Sequence, residues 1–184
     1  STLPPSSAAS DVYKRQVDTF NTFVENNFSV CRVNFRGVGK SDGDFDNGQG
    51  ELADAAAALD WIERENFDNS HCWIAGFSFG ALIAMQLLMR RPEINRFITI
   101  SPQPNVYDFT FLSPCPTSGI IVYGKNDELV TFESVNELNK RLNAQKGISI
   151  DFQTVIGANH FFSNSNNELL KVLNKYIQKE TELY

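Results

Sequence analysis

Apolar positions along the chain switch repeatedly between two spacings. Residues 17–26 (VDTFNTFVEN) place Val17, Phe20 and Val24 three to four residues apart, the spacing of one helix face. Residues 28–35 (FSVCRVNF) form a strand-like run that ends in the glycine-rich RGVGKSDG of 36–43. The next predicted helix, 50–65, carries Leu52, Ala55, Leu59 and Ile62 on one side. A short strand at 71–77 (HCWIAGF) precedes a helix near 79–90, and RFITIS (96–101) and GIIVYG (119–124) are further strands. A helix beginning at Thr131 turns Val135, Leu138 and Leu142 inward, and SIDFQTVIG (149–157) is the last strand. Ser165 and Glu168 form an S-x-x-E capping box for a final helix that buries Leu169, Leu170, Leu173, Tyr176 and Ile177.

Five strands of continuous apolar character, separated by helices, predict an α/β fold: a mainly parallel sheet with helices on both faces. Ligands in such sheets bind at the carboxyl ends of the strands. Only a loop with prolines and aromatics separates 96–101 from 119–124, so no cap domain is expected there. Residues 1–16 (STLPPSSAASDVYKRQ) differ in composition from all that follows, and SSAASDVYKRQ resembles translated cloning or adaptor sequence. They read as a non-native leader, leaving 17–184 as a single domain.

Composition narrows the function classes. The net charge of −6, without a Lys/Arg run interleaved with aromatics, disfavours nucleic acid as a partner. No apolar run approaches the ~18 residues of a membrane span. Cys31, Cys72 and Cys115 are odd in number and lack metal-ligand spacing. Cys31 and Cys72, in apolar strand-like runs, read as core thiols, which points to a reducing, cytoplasmic compartment. Neither a metal nor an organic cofactor is implied.

The chemistry lies in Gly76-Phe77-Ser78-Phe79-Gly80, a G-x-S-x-G placed where a strand stops and a helix starts. Such a turn pushes the serine to its tip, between glycines whose missing side chains would collide. The helix that follows points its N-terminus at the serine, which favours an oxyanion. A nucleophilic serine needs a base. Of the two histidines, His71 opens the strand leading into the turn and belongs at the opposite end of the sheet. His160, in Gly157-Ala158-Asn159-His160, follows the last strand at the correct edge. The orienting acid is Asp127 in Gly124-Lys125-Asn126-Asp127; Glu128 is its local competitor, with Asp108 and Asp151 more poorly placed. The order Ser, Asp, His distinguishes this arrangement from those of chymotrypsin and subtilisin.

The loop Arg36-Gly37-Val38-Gly39-Lys40-Ser41 invites a phosphate reading that fails. A P-loop requires glycine at Asn34, and a dinucleotide fingerprint requires glycine at Asp42. The loop is expected to shape the rim of the active site, with Arg36 anchoring carbonyls or carboxylates.

Six segments together resemble the small, uncapped bacterial α/β hydrolases related to dienelactone-hydrolase-like enzymes: NFRGVGKSDG (34–43), GELADAAAALDWI (50–62), GFSFGA (76–81), QLLMRRPEI (86–94), PCPTSGIIVYGKNDELV (114–130) and GANHFF (157–162). The resemblance runs from residue 17 to the C-terminus. It implies Ser78, Asp127 and His160 as the triad, and Phe79 N–H as one oxyanion donor. It also implies three preceding strands, the third lying between 28–35 and 71–77 and followed by a loop that supplies the second donor. On this expectation the fold lacks its first strands.

The expected activity is a serine hydrolase that cleaves a small-molecule ester, thioester or activated amide. Phe77, Tyr107, Phe109 and Phe111 are candidate pocket walls. The rivals are an acyltransferase on the same triad and a binding protein on a hydrolase fold.

Overall fold

The computed structural model describes residues 6–66 and 71–182. Its elements in chain order are α1 (Ser6–Glu25), α2 (Gln49–Glu65), β1 (Cys72–Phe77), α3 (Phe79–Leu88), β2 (Ile94–Ile100), β3 (Gly119–Gly124), α4 (Phe132–Asn143), β4 (Ile150–Val155) and α5 (Asn166–Thr181). Among the described residues there is one sheet of four strands, in the order β1-β2-β3-β4, with every pairing parallel.

The continuous apolar character of β2 and β3 follows from cover on both faces. Ile98, Ile100, Ile120 and Val122 point to one side, against Phe23 of α1 and Leu169, Leu173 and Ile177 of α5. Phe97, Ile121 and Tyr123 point to the other, against Leu59, Leu82, Met85, Val135 and Leu138 from α2, α3 and α4. Side chains alternate across a strand, so one apolar run feeds two cores. Truncating a fully buried Ile98 or Leu142 to alanine would cost about 2–5 kcal/mol. The loop joining β2 to β3 holds only turns, without an inserted cap.

Two expectations are corrected. Residues 28–35 have no regular secondary structure and join no ladder, so the fifth strand is not formed. Contact with β1 and α3 runs through side chains: Phe28 meets Phe23 and Trp73 edge-on at 5.2 and 5.1 Å, and Phe35 meets Phe79 at 6.2 Å. Apolar content calls for a surface to pack on, and here ring contacts satisfy it without backbone pairing. The helix α1 runs from Ser6 across position 16, and Arg15 is buried, with Nη1 donating to the Phe162 carbonyl at 3.1 Å. Secondly, Ser165 caps α5 without a side-chain hydrogen bond, its backbone (φ −133°, ψ 30°) lying outside the usual extended capping conformation.

One arm of such a box forms instead at α2, whose N-cap Gly48 has no side chain to supply the other. Glu51 is 1% exposed and its two oxygens accept the N–H groups of Gly48 and Asp46, each at 2.8 Å. The glycine-rich loop after residue 35 is tied to the same helix: Arg36 Nε and Nη2 grip the two oxygens of Asp54 at 3.1 and 2.8 Å. These hydrogen bonds from Arg36 hold the Asp54 carboxyl below the ordinary carboxylate range.

Glu51→Ala leaves two donors unpaired and is expected to lower stability in urea by about 1–3 kcal/mol. The Arg36–Asp54 pair predicts an acid dependence. A depressed folded pKa adds stability that is complete above the unfolded value of ~3.9 and is lost as pH falls through the folded value. Urea midpoints measured at pH 6 and pH 3 should therefore fall further for the unaltered protein than for Asp54→Asn. The difference should be small, because both side chains are about a quarter to a third exposed.

Candidate active site

β1 ends at Phe77 and α3 begins at Phe79, which leaves Ser78 alone to reverse the chain. It does so at φ 54°, ψ −118°, a conformation that costs a non-glycine residue about 1–3 kcal/mol. Its N–H donates to the Ile100 carbonyl at 2.8 Å, which holds the turn against β2. The two glycines of the motif are not equivalent. A Cβ on Gly76 would sit 2.3 Å from the Gly80 carbonyl oxygen, whereas a Cβ on Gly80 meets nothing within 4 Å. The expectation that both glycines relieve a collision holds for Gly76 alone. Phe79 opens α3, so its N–H is among the first-turn donors that have no partner within the helix.

Ser78 Oγ lies 2.9 Å from His160 Nε2, and His160 Nδ1 lies 2.7 Å from Asp127 Oδ2. The other Asp127 oxygen accepts the N–H groups of Leu129 and Val130 at 2.8 and 2.9 Å. The His160 and Asp127 side chains are 1% and 0% exposed. An ionised carboxylate accepts only, so Nδ1 carries the proton and Nε2 is left to accept from the serine hydroxyl. The competitors stand elsewhere. Glu128 is exposed and reaches only the His160 backbone N–H, at 3.5 Å; Asp108 caps Thr110; Asp151 lies within β4.

Backbone contacts bring the two loops together. Beyond β3, Lys125 N–H donates to the Val155 carbonyl and Asn126 N–H to the Ala158 carbonyl, both at 2.9 Å. Gly124 makes this approach possible: a Cβ there would fall 2.6 Å from the Ala158 oxygen and 2.7 Å from that of Asn159.

Sequence reasoning missed Ser101. Fully buried at φ 47°, it takes the Val122 carbonyl on its N–H at 2.9 Å, and its Oγ donates to the His160 carbonyl, also at 2.9 Å. Its only signal was position, the last residue of the predicted strand 96–101 and level with Ser78. Phe161 was missed as well; its ring stands edge-on to His160 at 5.0 Å. Of the pocket candidates, Phe77 lies 5.7 Å from the His160 ring and Tyr107 lies 5.7 Å from Phe79. Phe109 is 2% exposed and joins the core on the α4 side with Phe111 stacked on it, so these two are packing residues.

Residues 5–160 match the family model described as X-Pro dipeptidyl-peptidase (S15 family). An uncharacterized protein of Rickettsia prowazekii is 50% identical over 164 residues, covering 87% of this chain and 69% of that one. An Agrobacterium tumefaciens α/β hydrolase of unknown function superposes with a TM-score of 0.90 at 48% identity, over 92% of this chain and 78% of that one. An α/β serine hydrolase homologue from Coxiella burnetii gives 0.78 at 35% identity, over 89% and 76%.

The glycine asymmetry is directly testable. Gly76→Ala should destabilise by at least about 1–3 kcal/mol through overpacking against backbone, while Gly80→Ala should be neutral or gain up to about 1 kcal/mol of helix stability. Thermal melts of the two variants beside the unaltered protein would check this; equal losses would contradict the asymmetry.

Proposed function

This chain belongs to the S15 family of α/β hydrolases, and from that premise we propose that it is a serine hydrolase acting on an ester, thioester or activated amide, with Ser78, His160 and Asp127 as nucleophile, base and orienter. Ser78 Oγ attacks the acyl carbon as His160 Nε2 takes its proton. The carbonyl oxygen becomes an oxyanion, accepting from Phe79 N–H. His160 returns the proton to the leaving group as the old acyl bond breaks, and the acyl group remains on Ser78. Water then enters by the same route: His160 takes its proton, the acyl–Ser78 bond breaks, and the free acid leaves with Ser78 reprotonated. Asp127, its second oxygen held by two N–H groups, fixes the imidazole tautomer and stabilises the imidazolium without itself becoming protonated.

The observation that carries this reading is the unbroken Ser78–His160–Asp127 hydrogen-bond chain, which begins at a serine held at positive φ in a strand-to-helix turn. A scaffold that only binds gains nothing from that strain.

Hydrolysis of an activated ester tests it. Ser78→Ala and His160→Ala should each lower kcat by about 10⁴–10⁶, with the double variant no worse, because the residues act as a unit. Asp127→Asn should cost about 10⁴ through the wrong tautomer. Acylation should fail as pH falls and the imidazole gains a proton, because only neutral His160 can accept one from Ser78. Retention of a tenth of the activity by Ser78→Ala would contradict the reading.

A further inference from the structure

Phe79 does more than begin a helix. Three rings from two separate connections converge on its side chain: Phe35 at 6.2 Å and Phe45 at 5.4 Å from between α1 and α2, and Tyr107 at 5.7 Å from between β2 and β3. Phe35 and Phe45 stand edge-on, a favourable arrangement for aromatic pairs. The cluster is open to solvent, since Phe45 is 51% exposed while Phe79, Phe35 and Tyr107 are half-buried. The neighbouring loops add exposed apolar residues, Val38 at 52%, Val106 at 59% and Leu129 at 47%. The loops bearing the last two are joined by Asn105 Nδ2 donating to the Leu129 carbonyl at 3.0 Å. A single exposed apolar side chain is ordinary, but a cluster of rings gathered on the residue that follows Ser78 points to a ligand.

The same loops are acidic. Asp42, Asp44 and Asp46 flank Phe45, and Asp108 and Glu128 lie on the loops after β2 and β3. Hydrogen bonds from Thr110 hold the Asp108 carboxyl below its usual range and so keep it ionised. Arg36 is engaged by Asp54 and Asp46. That leaves Lys40 and Lys125, both exposed, and Arg141, whose charge acts on Asp108, outnumbered by the carboxylates of these loops. A substrate bearing its own carboxylate would approach through a field of like sign.

Position assigns the patch to one half of the substrate. When Ser78 Oγ bonds to the acyl carbon, the oxygen turns to Phe79 N–H, and the leaving group must come within reach of His160 Nε2, on the side of Phe77 and Phe161. The remaining substituent, the acyl chain, falls on the Phe79 side. We propose that the acyl half of the substrate is neutral and carries an aromatic or comparably bulky apolar group, which packs on Phe79 and its ring of neighbours. This rests on Ser78 being the residue acylated.

The test compares kcat/KM for the 4-nitrophenyl esters of 3-phenylpropanoic acid, acetic acid and succinic acid (the hemisuccinate), all sharing one leaving group. The phenylpropanoate should exceed the acetate by about tenfold or more, the scale on which an apolar pocket discriminates, and the hemisuccinate should fall below the acetate. Phe45→Ala should remove most of the phenylpropanoate preference and Phe45→Tyr should retain it; Phe45 is half exposed, so neither change disturbs the core. Turnover that Ser78→Ala abolishes, but that shows no preference for the phenylpropanoate or favours the hemisuccinate, would overturn this inference and leave the nucleophile standing. No turnover of any of the three esters, or turnover that survives Ser78→Ala, would overturn both.

Discussion

The hydrogen-bond ladder of the parallel sheet does not stop where the strands do, and the site depends on that continuation. Past β1, Ser78 N–H reaches the Ile100 carbonyl; past β2, Ser101 N–H reaches Val122; past β3, Lys125 N–H reaches Val155. Each strand end is thereby pinned to its neighbour one step beyond the regular structure. Neighbouring strands lie ~4.8 Å apart, and a one-residue slip reverses the face of every side chain. Three chain segments far apart in sequence therefore arrive in fixed register at one edge. The two residues that leave β1 and β2, Ser78 and Ser101, both take positive φ, so the backbone leaves the sheet sharply at each.

Electrostatics completes what register begins. The Asp127 carboxylate is removed from water, and an unpartnered buried charge would cost several kcal/mol. Leu129 and Val130 N–H and His160 Nδ1 occupy its two oxygens, leaving the carboxylate little freedom to turn. His160 is held from both sides, its ring by Asp127 and Ser78 and its carbonyl by the buried Ser101 hydroxyl. The imidazole is thus preorganised before any substrate binds, which is where much of the rate advantage of such sites originates.

The parts of this arrangement visible in the sequence were those with a local signature. Gly76-Phe77-Ser78-Phe79-Gly80 declares its strand-to-helix turn within five residues, and Asp127 and His160 each follow an apolar run directly. What lay hidden depended on partners distant in sequence. The run at 28–35 has the apolar content of a strand, but that pattern specifies a surface to cover and not a neighbour to pair with. Ser165 and Glu168 have capping-box spacing, yet the box is decided by the backbone angles at Ser165, which spacing does not encode. Ser101 is an ordinary serine before a proline until the fold brings the His160 carbonyl to it. Gly80 fits the motif as well as Gly76 does, and only the approach of the Gly76 Cα to the first turn of α3 separates them.

The central claim is that Ser78 is an activated nucleophile because His160 and Asp127 make it one. Intact-mass and peptide-mapping analysis of the protein after treatment with a fluorophosphonate addresses this most directly. The account predicts a single adduct, on Ser78, whose rate of formation collapses in His160→Ala and falls steeply in Asp127→Asn while both variants remain folded. An adduct on another residue, or labelling of Ser78 at an unchanged rate without His160, would contradict it.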